Sequence, residues 1–189
     1  MAFVMPQTTS ARHSPLRLAA VLAGGAATTV MLGVYAKVHP AGGQATFKVL
    51  FDSMLAFKSW FTTAAMVFAI AQLLTGLRVR DRLPWPRTAP IWLTDVHRLL
   101  GTLTLLVSLP VAYHCLWSLG FTFSGFGGRV FWHSVAGCAF YGMFVSKMLA
   151  VRIDRLPRWL VPVLGGMAFS LLVVVWVSSA AYYLTGQIG

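Results

Sequence analysis

Two histidines, His114 and His133, lie at the facing ends of two apolar runs, residues 97–119 and 130–151. If both runs cross a membrane as a helical hairpin, the two imidazoles lie at similar depth on the same side. Ionisable side chains at that depth are costly and are usually functional. Two neutral imidazoles that face each other in a helical bundle can coordinate a metal or a haem iron from both sides. The pair predicts a non-covalent haem b. Interfacial histidines with backbone partners are the alternative.

Five apolar runs are long enough to cross a hydrocarbon core of about 30 Å. The composition agrees, because 58% of the 189 residues are hydrophobic and only 10% are charged. A soluble domain of this length could not bury so much apolar surface. The first run is longer than the apolar part of a cleaved signal peptide, so we interpret it as a retained signal anchor, with a cleaved signal peptide as the alternative. The runs span residues 18–36, 60–77, 97–119, 130–151 and 159–184.

The predicted fold is therefore an all-α integral membrane bundle with five transmembrane helices. A cytoplasmic tail, residues 1–17, precedes the transmembrane domain of residues 18–189. The haem-binding core would occupy residues 97–151 of that domain.

Basic residues are divided unevenly between the two sides of this bundle. Of the 15 lysines and arginines, all but four fall in the segments that share a side with the N-terminus. This bias predicts a plasma membrane protein with a cytoplasmic N-terminus and an external C-terminus. The split charge favours contact with the headgroups of the lipid bilayer over nucleic-acid binding. The four exceptions are Lys37, Lys48, Lys58 and Arg129.

Two glycines are candidates for cofactor binding because of their spacing. Gly101 and Gly137 follow His97 and His133 by four residues, so each glycine shares a helix face with its histidine. A missing side chain there would let a flat porphyrin approach the backbone. Close helix packing is the alternative use of the same glycines.

Three further residues bear on the site. Lys58 and Arg129 stand at the outer ends of the second and fourth runs, where they could pair with haem propionates or serve as snorkelling boundary cations. Pro110 precedes His114 by four residues. It either kinks the helix to make room for a cofactor or is an ordinary transmembrane proline.

His97 lies on the cytoplasmic side, about 25 Å along the helix axis from His114, so the two cannot bind one iron. It is either a boundary histidine or a ligand of a second haem. The other ligand of that haem would have to be Met148 or Met167. Methionine more commonly fills gaps between packed side chains. A propionate, a quinone and Asp95 are the other candidate partners of the His97 ring.

The segment HRLLGTLTLLVSLPVAYHC, followed by RVFWHSVAG and YGMFVSK, resembles the haem-binding core of cytochrome b-561 and related membrane cytochromes. The whole chain also resembles a membrane family of actinobacteria that shares the HR…HC…H pattern. The first resemblance implies a transmembrane electron carrier with two haems, in which His97 and His133 would match two ligand positions. The second and fifth runs contain no histidine, which departs from the four-ligand pattern of that family. The spacing favours His114 with His133 instead.

These patterns predict a b-type haem protein that transfers electrons at the outer side of the membrane, as a redox protein or an oxidoreductase subunit. Its partner would be a periplasmic redox protein or a quinone, and it could form oligomers. The alternative is a non-enzymatic membrane subunit or assembly factor of a larger respiratory complex, without its own cofactor. A transporter ranks last, because no acidic residue lies within an apolar run.

Overall fold

The computed structural model describes residues 14–43, 50–83, 90–120 and 127–187. In these ranges all regular elements are helical, and five helices are long and apolar enough to cross a membrane. The predicted all-α class and the five spans are thereby confirmed, and the chain is a multi-pass membrane protein. Residues 1–13 of the predicted tail lie outside the described residues. The helices are α1 (Pro15–Val38), α2 (Met54–Val79), α3 (Leu93–Leu119), α4 (Arg129–Arg152) and α5 (Leu160–Leu184).

Local signals set the starts of the first two helices. α1 begins at Pro15, where the missing N–H costs no helical hydrogen bond. Ser53 caps α2, because its hydroxyl accepts a hydrogen bond from the backbone N–H of Ala56 at 3.1 Å. α2 therefore starts at Met54 rather than at residue 60, and Lys58 lies inside the helix.

The five helices form a ring around a central gap. α2 packs along α3, and α4 packs along both α1 and α5. Contacts between α2 and α5, and between α1 and the end of α3, close the ring. α3 and α4 are consecutive in the chain, yet their described residues make almost no close backbone contact. The predicted hairpin is therefore two helices that face each other across the gap.

α1 and α4 cross in backbone contact at Gly25 and Gly142. A Cβ atom added to either glycine would lie 2.5 Å from the carbonyl oxygen of the other. Next to this crossing, the Ser146 hydroxyl donates a hydrogen bond to the Val21 carbonyl oxygen at 3.1 Å. In a bilayer, small residues and hydrogen bonds of this kind hold helices together, because the hydrophobic effect does not.

Two helices change from α- to π-helical geometry near the same end of the bundle. In α3 the π-helical segment is His114–Leu119, and it begins one turn after Pro110. In α5 it is Val177–Ala181. Single π-helical turns are rare and occur frequently at functional sites.

Candidate functional site

A cavity of about 80 Å³, here called the outer cavity, lies in the gap between α3 and α4. All five helices contribute to its walls, which are mostly apolar. Among the contacts that bridge the gap is a hydrogen bond that the Tyr141 hydroxyl donates to Ser108 Oγ at 2.9 Å. The polar side chains in the lining are Thr62, Ser108, Cys115, His133, Ser134, Cys138 and Tyr141.

His133 lines the outer cavity. Its Nδ1 lies 3.2 Å from Ser178 Oγ, and its Nε2 lies 3.9 Å from Cys115 Sγ. The Ser178 hydroxyl donates to the Val174 carbonyl oxygen at 2.6 Å, so it accepts the hydrogen bond from His133 Nδ1–H. The lone pair of Nε2 is thereby directed toward Cys115. Histidines that ligate metals are oriented in this way, through a partner on the nitrogen that does not bind the metal.

His114 is fully buried beside the outer cavity but does not line it. Its Nδ1 lies 3.4 Å from Ser118 Oγ, and its ring packs edge-on against Phe57 with the centroids 5.5 Å apart. Successive residues on a helix point in different directions. For that reason Cys115, and not His114, faces the cavity and contacts His133. The structure brings the two histidines to one end of the bundle but not into one cavity wall.

The two cations predicted for the site differ in burial. Lys58 is only 7% exposed, and its ammonium places positive charge near the thiol of Cys115. Arg129 is exposed; it donates a hydrogen bond to the Ser178 carbonyl oxygen at 2.6 Å and lies 4.8 Å from the centroid of the Tyr182 ring. Neither cation lines the outer cavity. Both place positive charge near the outer histidines, and pairing with propionates stays a prediction.

The two predicted glycines have different surroundings. A Cβ atom on Gly137 would meet no described atom within 4 Å, and Gly137 lines the outer cavity one turn from His133. Space for a flat ligand is therefore present at this glycine. A Cβ atom on Gly101 would collide with the side-chain amide of Gln72. At Gly101 the missing side chain therefore allows close packing against Gln72 and leaves no space for a porphyrin.

His97 lines a second cavity of about 160 Å³, here called the inner cavity, between α2, α3, α4 and α5. Its Nδ1–H donates to the Gln72 carbonyl oxygen at 2.9 Å, and Thr75 Oγ1 lies 3.2 Å from the same nitrogen. A Cβ atom on Gly76 would come within 2.9 Å of His97 Cε1. Gly76 therefore makes room for this imidazole, and nothing in its sequence spacing singled it out.

The other partners considered for His97 lie elsewhere. Asp95 forms an ion pair with Arg98 at 3.4 Å. Met148 and Met167 are 40% and 47% exposed, and neither lines the inner cavity. A second haem with a methionine ligand at His97 has no support in this arrangement.

The donor chemistry at the outer end fits a b-type haem iron. His114 and His133 each have Nδ1 within reach of a serine hydroxyl, which leaves Nε2 as the ligating nitrogen in each ring. No cluster of three or more His, Cys, Asp or Glu side chains suited to a metal ion occurs among the described residues. The outer cavity is smaller than the roughly 300–1,000 Å³ of ligand pockets. Binding a porphyrin therefore requires α3 and α4 to move apart and the His114 ring to turn toward the gap.

No curated protein and no solved structure matches the chain. The resemblance to cytochrome b-561 accordingly stays a prediction from the residues quoted above. A family model does match residues 18–188, nearly the whole five-helix bundle. The chain thus belongs to DUF6529, a family of unknown function.

Proposed function

We propose that this protein is a membrane-bound b-type haem protein that transfers electrons at the outer side of the plasma membrane. The supporting observation is the pair of π-helical segments beside the gap between α3 and α4. One segment contains His114, and the other contains Ser178, the hydrogen-bond partner of His133. One rare helical distortion contains a histidine and the other contains the hydrogen-bond partner of a histidine, and their location at the same end of the bundle favours a shared ligand.

In this proposal His133 and His114 hold the iron through Nε2, while Ser178 and Ser118 hold the opposite nitrogen of each ring. A bound haem would supply a one-electron carrier. The chain's own contribution is to orient the rings and to exclude water with the apolar lining of the outer cavity. The cation Lys58 adds positive charge near the site.

The exchange partner that we propose is a periplasmic redox protein or a quinone. Support comes from the depth of the histidines, which lie at the end of the bundle that the positive-inside bias assigns to the outer leaflet. A donor or acceptor on that side would reach the haem without crossing the bilayer.

Single substitutions test the ligand assignment. We expect His133→Ala and His114→Ala to lose haem, because each removes one of the two iron ligands. Haem per chain is measured as the pyridine haemochrome of detergent-purified protein. His39→Ala is the matched control, since His39 follows the last residue of α1, stacks between Tyr35 and Trp117 near the same end, and has no proposed role at the iron. It should retain haem.

Circular dichroism and gel filtration separate ligand loss from misfolding. If His114→Ala and His133→Ala both kept stoichiometric haem, the ligand assignment would be wrong. Loss of haem in folded His39→Ala to the same extent would also contradict it, because this residue has no role in the proposed site.

A further inference from the structure

The inner cavity carries positive charge that no carboxylate balances. Lys147 of α4 and Arg80 at the end of α2 line it together with His97. The remaining lining is mainly apolar and includes Leu73 of α2 and Phe169 of α5. None of the chain's four acidic residues lines this cavity; they are Asp52, Asp81, Asp95 and Asp154.

Two of the three carboxylates at this end of the bundle, those of Asp81 and Asp95, pair with other cations. Arg78 pairs with Asp81 at 2.8 Å, and Arg98 pairs with Asp95 at 3.4 Å. In the part of the chain that the structure describes, Lys147 has no hydrogen-bond or ion-pair partner. The cation that faces the inner cavity is therefore available to a ligand.

The Lys147 side chain lies beside Gly165 of α5 where it lines the inner cavity. A Cβ atom on Gly165 would lie 3.7 Å from Lys147 Cε and 3.8 Å from its Nζ. The side chain is half-buried, within the length of a membrane-spanning helix. A cation held there without a counter-ion is costly, and an anion in the cavity would offset that cost.

We infer that the inner cavity binds the anionic headgroup of an acidic phospholipid. Lys147 and Arg80 would contact the phosphate, and the apolar walls would hold part of an acyl chain. Basic pockets between transmembrane helices on the cytoplasmic side bind such headgroups. The arginine-rich loops predict that the inner cavity lies in the cytoplasmic leaflet of the membrane. A free phosphate ion offers the same anionic group as the lipid headgroup, so the experiment must distinguish these two ligands.

Lipid retention by charge variants tests this inference. Protein in mixed micelles with equal phosphatidylglycerol and phosphatidylcholine is examined by native mass spectrometry for retained lipid. Lys147→Met removes the charge at similar length, and Lys147→Arg keeps it. Arg98→Gln is the matched control, because this cation lies at the same end but does not line the cavity.

We expect wild type, Lys147→Arg and Arg98→Gln to retain phosphatidylglycerol selectively. Lys147→Met should weaken that retention about fivefold, the factor for roughly 1 kcal/mol per cation near an anionic headgroup. Arg80→Gln, at an exposed position that should not affect folding, is expected to weaken retention in the same direction. Haem content should be unchanged in all four variants, so a failure here is distinct from a failure of the haem proposal.

Equal retention of phosphatidylglycerol by wild type, Lys147→Met and Arg80→Gln would overturn the inference. A separate arm adds inorganic phosphate at millimolar concentration. If wild type bound phosphate more tightly than Lys147→Met did but retained no more phosphatidylglycerol than that variant, the ligand would be a free anion and the lipid assignment would be overturned.

Discussion

Ser178 determines the direction of the His133 imidazole. Its hydroxyl donates to the Val174 carbonyl oxygen, so toward His133 Nδ1 it acts as an acceptor. Arg129 donates to the backbone carbonyl of the same serine, which further fixes this turn of α5. Removing the partner of a ligating histidine typically weakens metal affinity by about 10–100-fold.

We accordingly expect Ser178→Ala to lower haem affinity by about one to two orders of magnitude and to shift the midpoint potential. Ser178→Thr keeps the hydroxyl and should restore both. Ser179→Ala is the control, because it makes the same change at the adjacent position. Haem titration and redox potentiometry provide the readouts. Unchanged affinity and potential in Ser178→Ala, at unchanged thermal stability, would show that Ser178 does not position a haem ligand.

The sequence could predict some of these residues and not others. The lengths of the apolar runs predict that His114 and His133 lie at the same end of the bundle. The contact between His133 and Cys115 does not, because it depends on the rotation of α3 about its axis. Ser178 lies 45 residues from His133 in the chain, and no local pattern links the two.

The crossing of α1 and α4 holds the wall of the bundle opposite α2 and α3. Gly25 and Gly142 bring the two backbones into contact, so side chains at these positions would force the helices apart. Overpacking of this kind costs about 1–3 kcal/mol.

We expect Gly25→Val to lower the free energy of unfolding of the detergent-solubilised protein by about 1–3 kcal/mol. Gly33→Val is the matched control on the same helix, because a Cβ atom there would meet no described atom within 4 Å. The unfolding transition is followed by circular dichroism. Equal stability of the two variants would indicate that the crossing does not hold α1 against α4.

The length of the apolar runs predicts all five membrane-spanning helices, because a helix needs about 20 residues to cross a bilayer. The exact ends depended on local capping, as Ser53 shows for α2. The π-helical segments and the gap between α3 and α4 could not be predicted. Both depend on how neighbouring helices pack rather than on the period of one run.

In the described part of the bundle, the outer and inner cavities extend toward different ends from Phe140 and Leu172, which line both. The orientation of the bundle decides which leaflet each cavity faces. The positive-inside bias predicts a cytoplasmic N-terminus and an external C-terminus. A C-terminal fusion to alkaline phosphatase should therefore be active, and a C-terminal fusion to green fluorescent protein should be dark. The reverse pattern would place the outer histidines on the cytoplasmic side and contradict the proposed periplasmic exchange.

The most direct measurement is the visible spectrum of the detergent-purified protein, oxidised and then reduced with dithionite, with haem quantified per chain. The central claim predicts sharp reduced α and Soret bands, unchanged by carbon monoxide, and about one haem b per chain. These are the features of a six-coordinate iron with two imidazole ligands. Colourless protein from haem-sufficient cells would contradict the claim and favour a cofactor-free subunit of a larger complex.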